Sequence, residues 1–177
     1  MANRWATMVA GVMVMVGSAG VAADQDKPIG SRILVPSGPS VLMVHKAVRG
    51  AAARLATPDC QAVLTDFRDM VGETLKDNLA RMARNPSQFV GDVWFIDATD
   101  GQGCKTNLGV AAYTNPGSRI INVCSSRFSD PNFGLGGING EVVIIHEILH
   151  ALGLGENGPH PSAREISNRV LARCGRD

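Results

Sequence analysis

The run Glu141-Val-Val-Ile-Ile-His146-Glu147-Ile-Leu-His150-Ala-Leu-Gly153 places two imidazoles and a carboxylate in an otherwise oily segment. At about 3.6 residues per turn, side chains four apart share one face of a helix, so His146 and His150 can reach a single ion while Glu147 sits beside them. Burying three polar side chains among Val, Ile and Leu is costly unless they find partners. A divalent cation and its water would satisfy all three. Zn²⁺ accepts neutral imidazole nitrogen readily, and a catalytic zinc takes three protein ligands and leaves a position for a water that ionises near neutral pH. Glu147, outside the coordination sphere, is then placed to act as general base and to return the proton to a leaving amine, while the metal polarises the scissile carbonyl. The competing reading is a chance His-Glu-x-x-His on a core helix. The apolar frame and the glycine one turn later favour metal.

Three residues compete for the place of third ligand: Glu156, Glu165 and His160, ranked in that order. The pattern His146-Glu-Ile-Leu-His150-Ala-Leu-Gly153-Leu-Gly-Glu156 resembles the metzincin zinc peptidases, in which the helix stops at a glycine and the chain turns back to offer a ligand three residues on. Glu156 stands where His or Asp is usual in that family. Glu165 follows on the next helix, as the third ligand does in gluzincins, but the spacing is shorter and a capping box with Ser162 already explains it. His160, between Pro159 and Pro161, is a good ligand chemically on a stiff loop. A further resemblance covers Cys104, Ala112-Tyr113-Thr114, Ile120-Ile-Asn-Val-Cys124 and Phe128, whose order is similar to that in aspzincin peptidases of the deuterolysin and peptidyl-Lys metalloendopeptidase kind. Those are secreted, disulfide-bonded endopeptidases; their Gly-Thr-x-x-Asp ligand segment has no counterpart here.

The resemblances imply a zincin-type zinc metallopeptidase, an endopeptidase acting on peptide or protein substrates with Zn²⁺ on His146, His150 and Glu156. Two alternatives stand beside it: a catalytically silent zinc-binding fold with an envelope or binding role, and a zinc amidohydrolase acting on a non-peptide amide. Tyr113, the only tyrosine, is either an oxyanion donor or half-buried packing. The segment 110–114 is a candidate edge strand for pairing with extended substrate. His45 has no partner in the sequence. Asp97 and Asp100 read as a strand end and turn, with a structural cation as the alternative.

An α+β domain must position these groups. Ser40 can cap a helix over 41–56, and Thr57-Pro58 opens a helical region over 58–84, where Val63, Leu64, Phe67, Met70, Val71, Leu75, Leu79 and Met82 recur at spacings near three and four and Gly72 is the point of division. Asn85-Pro86 ends it. Strands are expected at 93–96, 110–114 and 119–124, the last two forming a hairpin around Asn115-Pro116-Gly117, in a short mixed or antiparallel sheet. A glycine-rich loop over 125–139 leads to the metal helix, 140–152, and Ser162 starts a final helix over 163–173.

Arg4 followed by an apolar stretch to Val16 and small residues through Ala23 reads as a signal peptide over 1–23. Its apolar run falls short of the roughly 20 residues that span a bilayer. Residues 24–40, rich in Pro, Gly, Ser and charge, read as a flexible leader with a possible short strand at 33–35, and 41–177 as one metallopeptidase domain. The protein is therefore expected to be secreted or periplasmic, without a membrane span after cleavage. The formal net charge is +1, and no basic run suggests nucleic acid as a partner; a monomer is expected. The four cysteines form no Cys-x-x-Cys pair, which favours disulfides in an oxidising compartment over a thiolate metal site. Cys104–Cys124 and Cys60–Cys174 are the favoured pairings.

Overall fold

The computed structural model describes residues 32–175. The expected signal peptide and residues 24–31 of the expected leader lie outside them. Residues 32–40 belong to the fold: Ile33–Leu34 forms strand β1, and helix α1 spans Pro39–Leu55 with proline in its first turn. Ile33 is buried and pairs with Phe95, so the short strand expected at 33–35 forms, and α1 begins at Pro39, within the stretch read as leader.

α1 buries Val44, Ala47, Val48, Ala51, Ala52 and Leu55, a stripe at helical spacing. The long helix expected over 58–84 divides more than Gly72 suggested, into α2 (Pro58–Gln61), α3 (Val63–Asp66) and α4 (Leu75–Arg81). Its apolar spacing is real at Val63, Leu64, Leu75 and Leu79, which are buried, and misleading at Met70 and Val71, which are 63% and 82% exposed. The intervening turn wins because Asp69 Oδ1 accepts the backbone N–H groups of Val71 (3.0 Å) and Glu73 (2.9 Å), Gly72 adopts φ +94°, and Thr74 caps α4. A carboxylate that bonds its own following backbone offers the chain an alternative to helix.

Asn85 does not simply end a helix; its capping box with Gln88 starts another, α5 (Pro86–Asp92). β2 (Trp94–Asp97) follows, then α6 (Gln102–Thr106) inside the segment read as a turn. β3 (Ala112–Tyr113) and β4 (Ile120–Val123) form the expected hairpin. The glycine-rich stretch carries α7 (Ser125–Ser129) and a 3₁₀ turn, Pro131–Phe133. α8 spans Ile138–Ala151 and α9 spans Ala163–Cys174.

The sheet has four strands in the order β1-β2-β4-β3, parallel across β1, β2 and β4 and antiparallel between β4 and β3. This is an α+β architecture with a mixed sheet. Ile33, Phe95, Ile121, Val123 and Ala112 turn one face of the sheet into a core shared with α1 and α8. α1 and α8 approach closely because Gly140 faces Ala47: a Cβ on Gly140 would fall 2.5 Å from the Leu135 carbonyl and 3.3 Å from Ala47 Cβ. The disulfides join Cys104 to Cys124 and Cys60 to Cys174, as favoured from the sequence.

Candidate metal centre

Buried nearly all round, α8 carries His146, Glu147 and His150 at 5–7% exposure each. The imidazoles face each other with Nε2 atoms 3.0 Å apart. The helix ends at Gly153, whose φ of +109° turns the chain back so that Glu156 Oε2 lies 3.4 Å from His146 Nε2 and 3.2 Å from His150 Nε2. Of the candidates for third ligand, the structure therefore brings Glu156 to the imidazoles. Glu165 is exposed and its carboxylate accepts the N–H and hydroxyl of Ser162 at 2.8 and 2.7 Å, hydrogen bonds that hold its pKa below the usual carboxylate value. His160 packs on Gly155, where an added Cβ would fall 2.4 Å from its ring. Neither joins the cluster.

The far side of each imidazole is also engaged. His150 Nδ1 lies 2.7 Å from the Leu154 carbonyl, which can only accept, so Nδ1 carries the proton and Nε2 keeps its lone pair. His146 Nδ1 lies 3.0 Å from Ser167 Oγ on α9. Burial, then the neighbouring His150, push the pKa of His146 down to about 4 against the opposing pull of Glu156. At neutral pH His146 is therefore a neutral imidazole. At most one N–H, that of His146, serves the two acceptors facing it, and a cation is the partner that suits all three. The separations of 3.0, 3.2 and 3.4 Å are close to the edge of about 3.3 Å in a tetrahedron with metal bonds of about 2.0 Å. The group could hold a metal ion.

Glu147 is not part of that triangle. Its Oε2 is buried without a hydrogen-bond partner, and the backbone N–H of Thr114 bonds the carboxyl group. Burial first, and the charge of Glu156 second, raise its pKa to about 8, with the Thr114 N–H opposing. These groups open onto a cleft of about 540 Å³ that also touches Val110, Tyr113, Phe133, Leu135, Val143 and Ser167. One wall is held by Arg127, 8% exposed, whose guanidinium donates to the carbonyls of Cys104, Asn107 and Val110 and lies 5.2 Å from the centre of the Phe133 ring.

Tyr113 lines the cleft, but its ring packs over Gly103, where an added Cβ would come 2.6 Å from Cζ. Asp97 is spent locally: Oδ1 accepts from Thr99 Oγ1 at 2.7 Å and from the Ser125 N–H at 3.4 Å. Asp100 is fully exposed beside Lys105. Neither belongs to a metal-binding group among the described residues, and nor does His45. Ser167, the Leu154 carbonyl and the Thr114 N–H had no signal in the sequence, because a hydroxyl or a main-chain group gains its role only through proximity. No family model, curated protein or solved structure matches the chain.

Proposed function

We propose that the chain is an exported zinc-dependent metallopeptidase in which His146, His150 and Glu156 hold Zn²⁺ and Glu147 is the general base. The observation that carries the reading is the convergence of both Nε2 atoms and Glu156 Oε2 beside a buried carboxylate that lacks a partner at one oxygen. When bound, zinc would supply Lewis acidity, making a water nucleophilic near neutral pH and polarising a carbonyl. Glu147 accepts the proton of the attacking water and passes it to the leaving amine. With an ion held by Glu156, the second of the two causes that raise the Glu147 pKa would be offset. The tautomer of His150 is set by the Leu154 carbonyl.

β3 lies at the edge of the sheet and residues 109–114 line the cleft, which supports binding an extended peptide by strand addition. Export rests on the N-terminal signal pattern together with the two disulfides. Among the described residues no helix is long and apolar enough to cross a membrane. The depth of Glu147, 6% exposed, favours one second reading, a zinc-holding scaffold without turnover.

The test is metal content of the purified protein followed by cleavage of an unstructured protein substrate, with and without chelator. Glu147→Gln should retain zinc and lose roughly 10²–10⁴-fold in turnover. Wild type that binds zinc but cleaves nothing selects the scaffold, and a Glu147→Gln variant that cleaves as well as wild type removes Glu147 as base.

A further inference from the structure

The turn that delivers Glu156 is gripped from outside by a segment with no part in the proposed chemistry. Met70 N–H donates to the Gly153 carbonyl (3.2 Å), and Asp69 forms an antiparallel bridge with Leu154. Asn78 Nδ2 donates both to the Leu152 carbonyl (2.7 Å) and to Asp69 Oδ2 (2.9 Å). Asp69 Oδ1 is meanwhile occupied by the N–H groups of Val71 and Glu73. Both carboxylate oxygens of Asp69 are thus used to shape 67–74 into a clip and lock it to α4. The clip seats directly on Gly153, where an added Cβ would fall 3.1 Å from Asp69 Cβ and 3.5 Å from Asn78 Nδ2.

What the clip holds matters for the centre. Leu152, Gly153 and Leu154 are the residues between His150 and Glu156 that leave the helix, and the Leu154 carbonyl is the group that orients His150. Groups that orient ligands typically change metal affinity by about 10–100-fold when removed. The turn's N–H groups close onto its own helix, Gly153 to the His150 carbonyl (2.8 Å) and Leu154 to the Leu149 carbonyl (3.1 Å), which leaves its outward carbonyls to be held by what packs on them. Here that is Asp69 and Asn78.

We propose that Asp69 and Asn78 are positioning residues for the metal centre, holding the 152–154 turn so that Glu156 and His150 converge with His146. The inference rests on the metal-binding reading above. Zinc affinity, measured by chelator competition and calorimetry on the mature protein, tests it in a double-mutant cycle of Asn78→Ala with Glu156→Ala. Asn78→Ala is expected to weaken zinc binding by about 10–100-fold in the wild-type background and by a smaller factor, the part carried by orientation of His150, when Glu156 is already absent, since neighbouring sites acting through one another are not additive. Asp69→Asn, which keeps the shape of the clip but sets an amide against Asn78, should reproduce the loss and covers the case in which Asn78→Ala does not fold. The Co²⁺ absorption spectrum of each variant should change from that of wild type. Unchanged zinc affinity in both single variants, or an equal loss with and without Glu156, overturns the proposal. Wild type that binds no zinc would sink the metal reading itself, an outcome visible before any variant is compared.

Discussion

At the scale of single residues, the behaviour of the metal-free centre follows from two opposed shifts. His146 is depressed to about 4 from 6.5; it stays neutral in the fold where the unfolded chain would protonate, so its contribution is present above pH 6.5 and is lost as pH falls towards 4. Glu147 is raised to about 8 from 4.5; the fold keeps a proton that the unfolded chain releases, so its contribution is present below pH 4.5 and is lost as pH rises through 8. From 4.5 to 6.5 the slopes oppose each other. From 6.5 to 8 only Glu147 acts, so the stability of chelated protein, measured by urea unfolding, should fall with rising pH across that window. Glu147→Gln should flatten the fall. A slope unchanged by that substitution would remove the buried carboxyl as its source. Zinc at about 100 times its dissociation constant should stabilise the fold by ~2.7 kcal/mol.

Helices and strands place these residues through contacts between elements more than through their own propensities. α8 is apolar on nearly every side, which suits a helix enclosed by α1, α9 and the sheet. Its closeness to α1 depends on the missing side chain at Gly140. Gly140→Ala should therefore be destabilising by about 1–3 kcal/mol, the usual penalty of overpacking, despite alanine's better helix propensity. A thermal melt of the variant that matched or exceeded wild type would show that Leu135 and Ala47 yield easily. The segment 58–84 behaves in the complementary way: its apolar residues have helical spacing, yet the carboxylate of Asp69 and the cap at Thr74 divide it. Only Gly72 is legible in the sequence as a point of division, not the self-bonding Asp69 or the cap at Thr74. That Asp69 also meets Gly153 is not legible either, since the partners lie far apart in the chain.

For the molecule as a whole, the disulfides tie different things. Cys60–Cys174, separated by 114 residues, fastens α9, the helix of Ser167, to α2, while Cys104–Cys124, separated by 20, fastens α6 to the end of β4 near the cleft wall. By loop-closure entropy, removing the first should cost roughly 4–5 kcal/mol and the second roughly 3. Paired Cys→Ser variants compared by denaturant midpoint should show the larger loss for Cys60/Cys174, and the reverse order would mean that native-state contacts outweigh chain entropy. Both pairings are legible in the sequence, because Cys104 and Cys124 flank one expected pair of strands, which leaves the remaining two cysteines for each other.

What this chain's sequence determined alone is local chemistry. Two imidazoles and a carboxylate within one turn, a glycine that stops their helix, a Ser-Glu capping box and a hairpin turn all depend on residues close enough in sequence for backbone geometry to relate them. The tertiary structure decided the rest: that Glu156 and not Glu165 or His160 faces the imidazoles, that Ile33 and Leu34 join the sheet, that Ser167 and the Leu154 carbonyl orient the ring nitrogens, and that Asp69 and Asn78 brace the turn. These contacts join elements whose relative placement is set by burial of a shared core. Hydrophobic burial is non-directional, and only the packed solution specifies which polar groups it brings within hydrogen-bond reach.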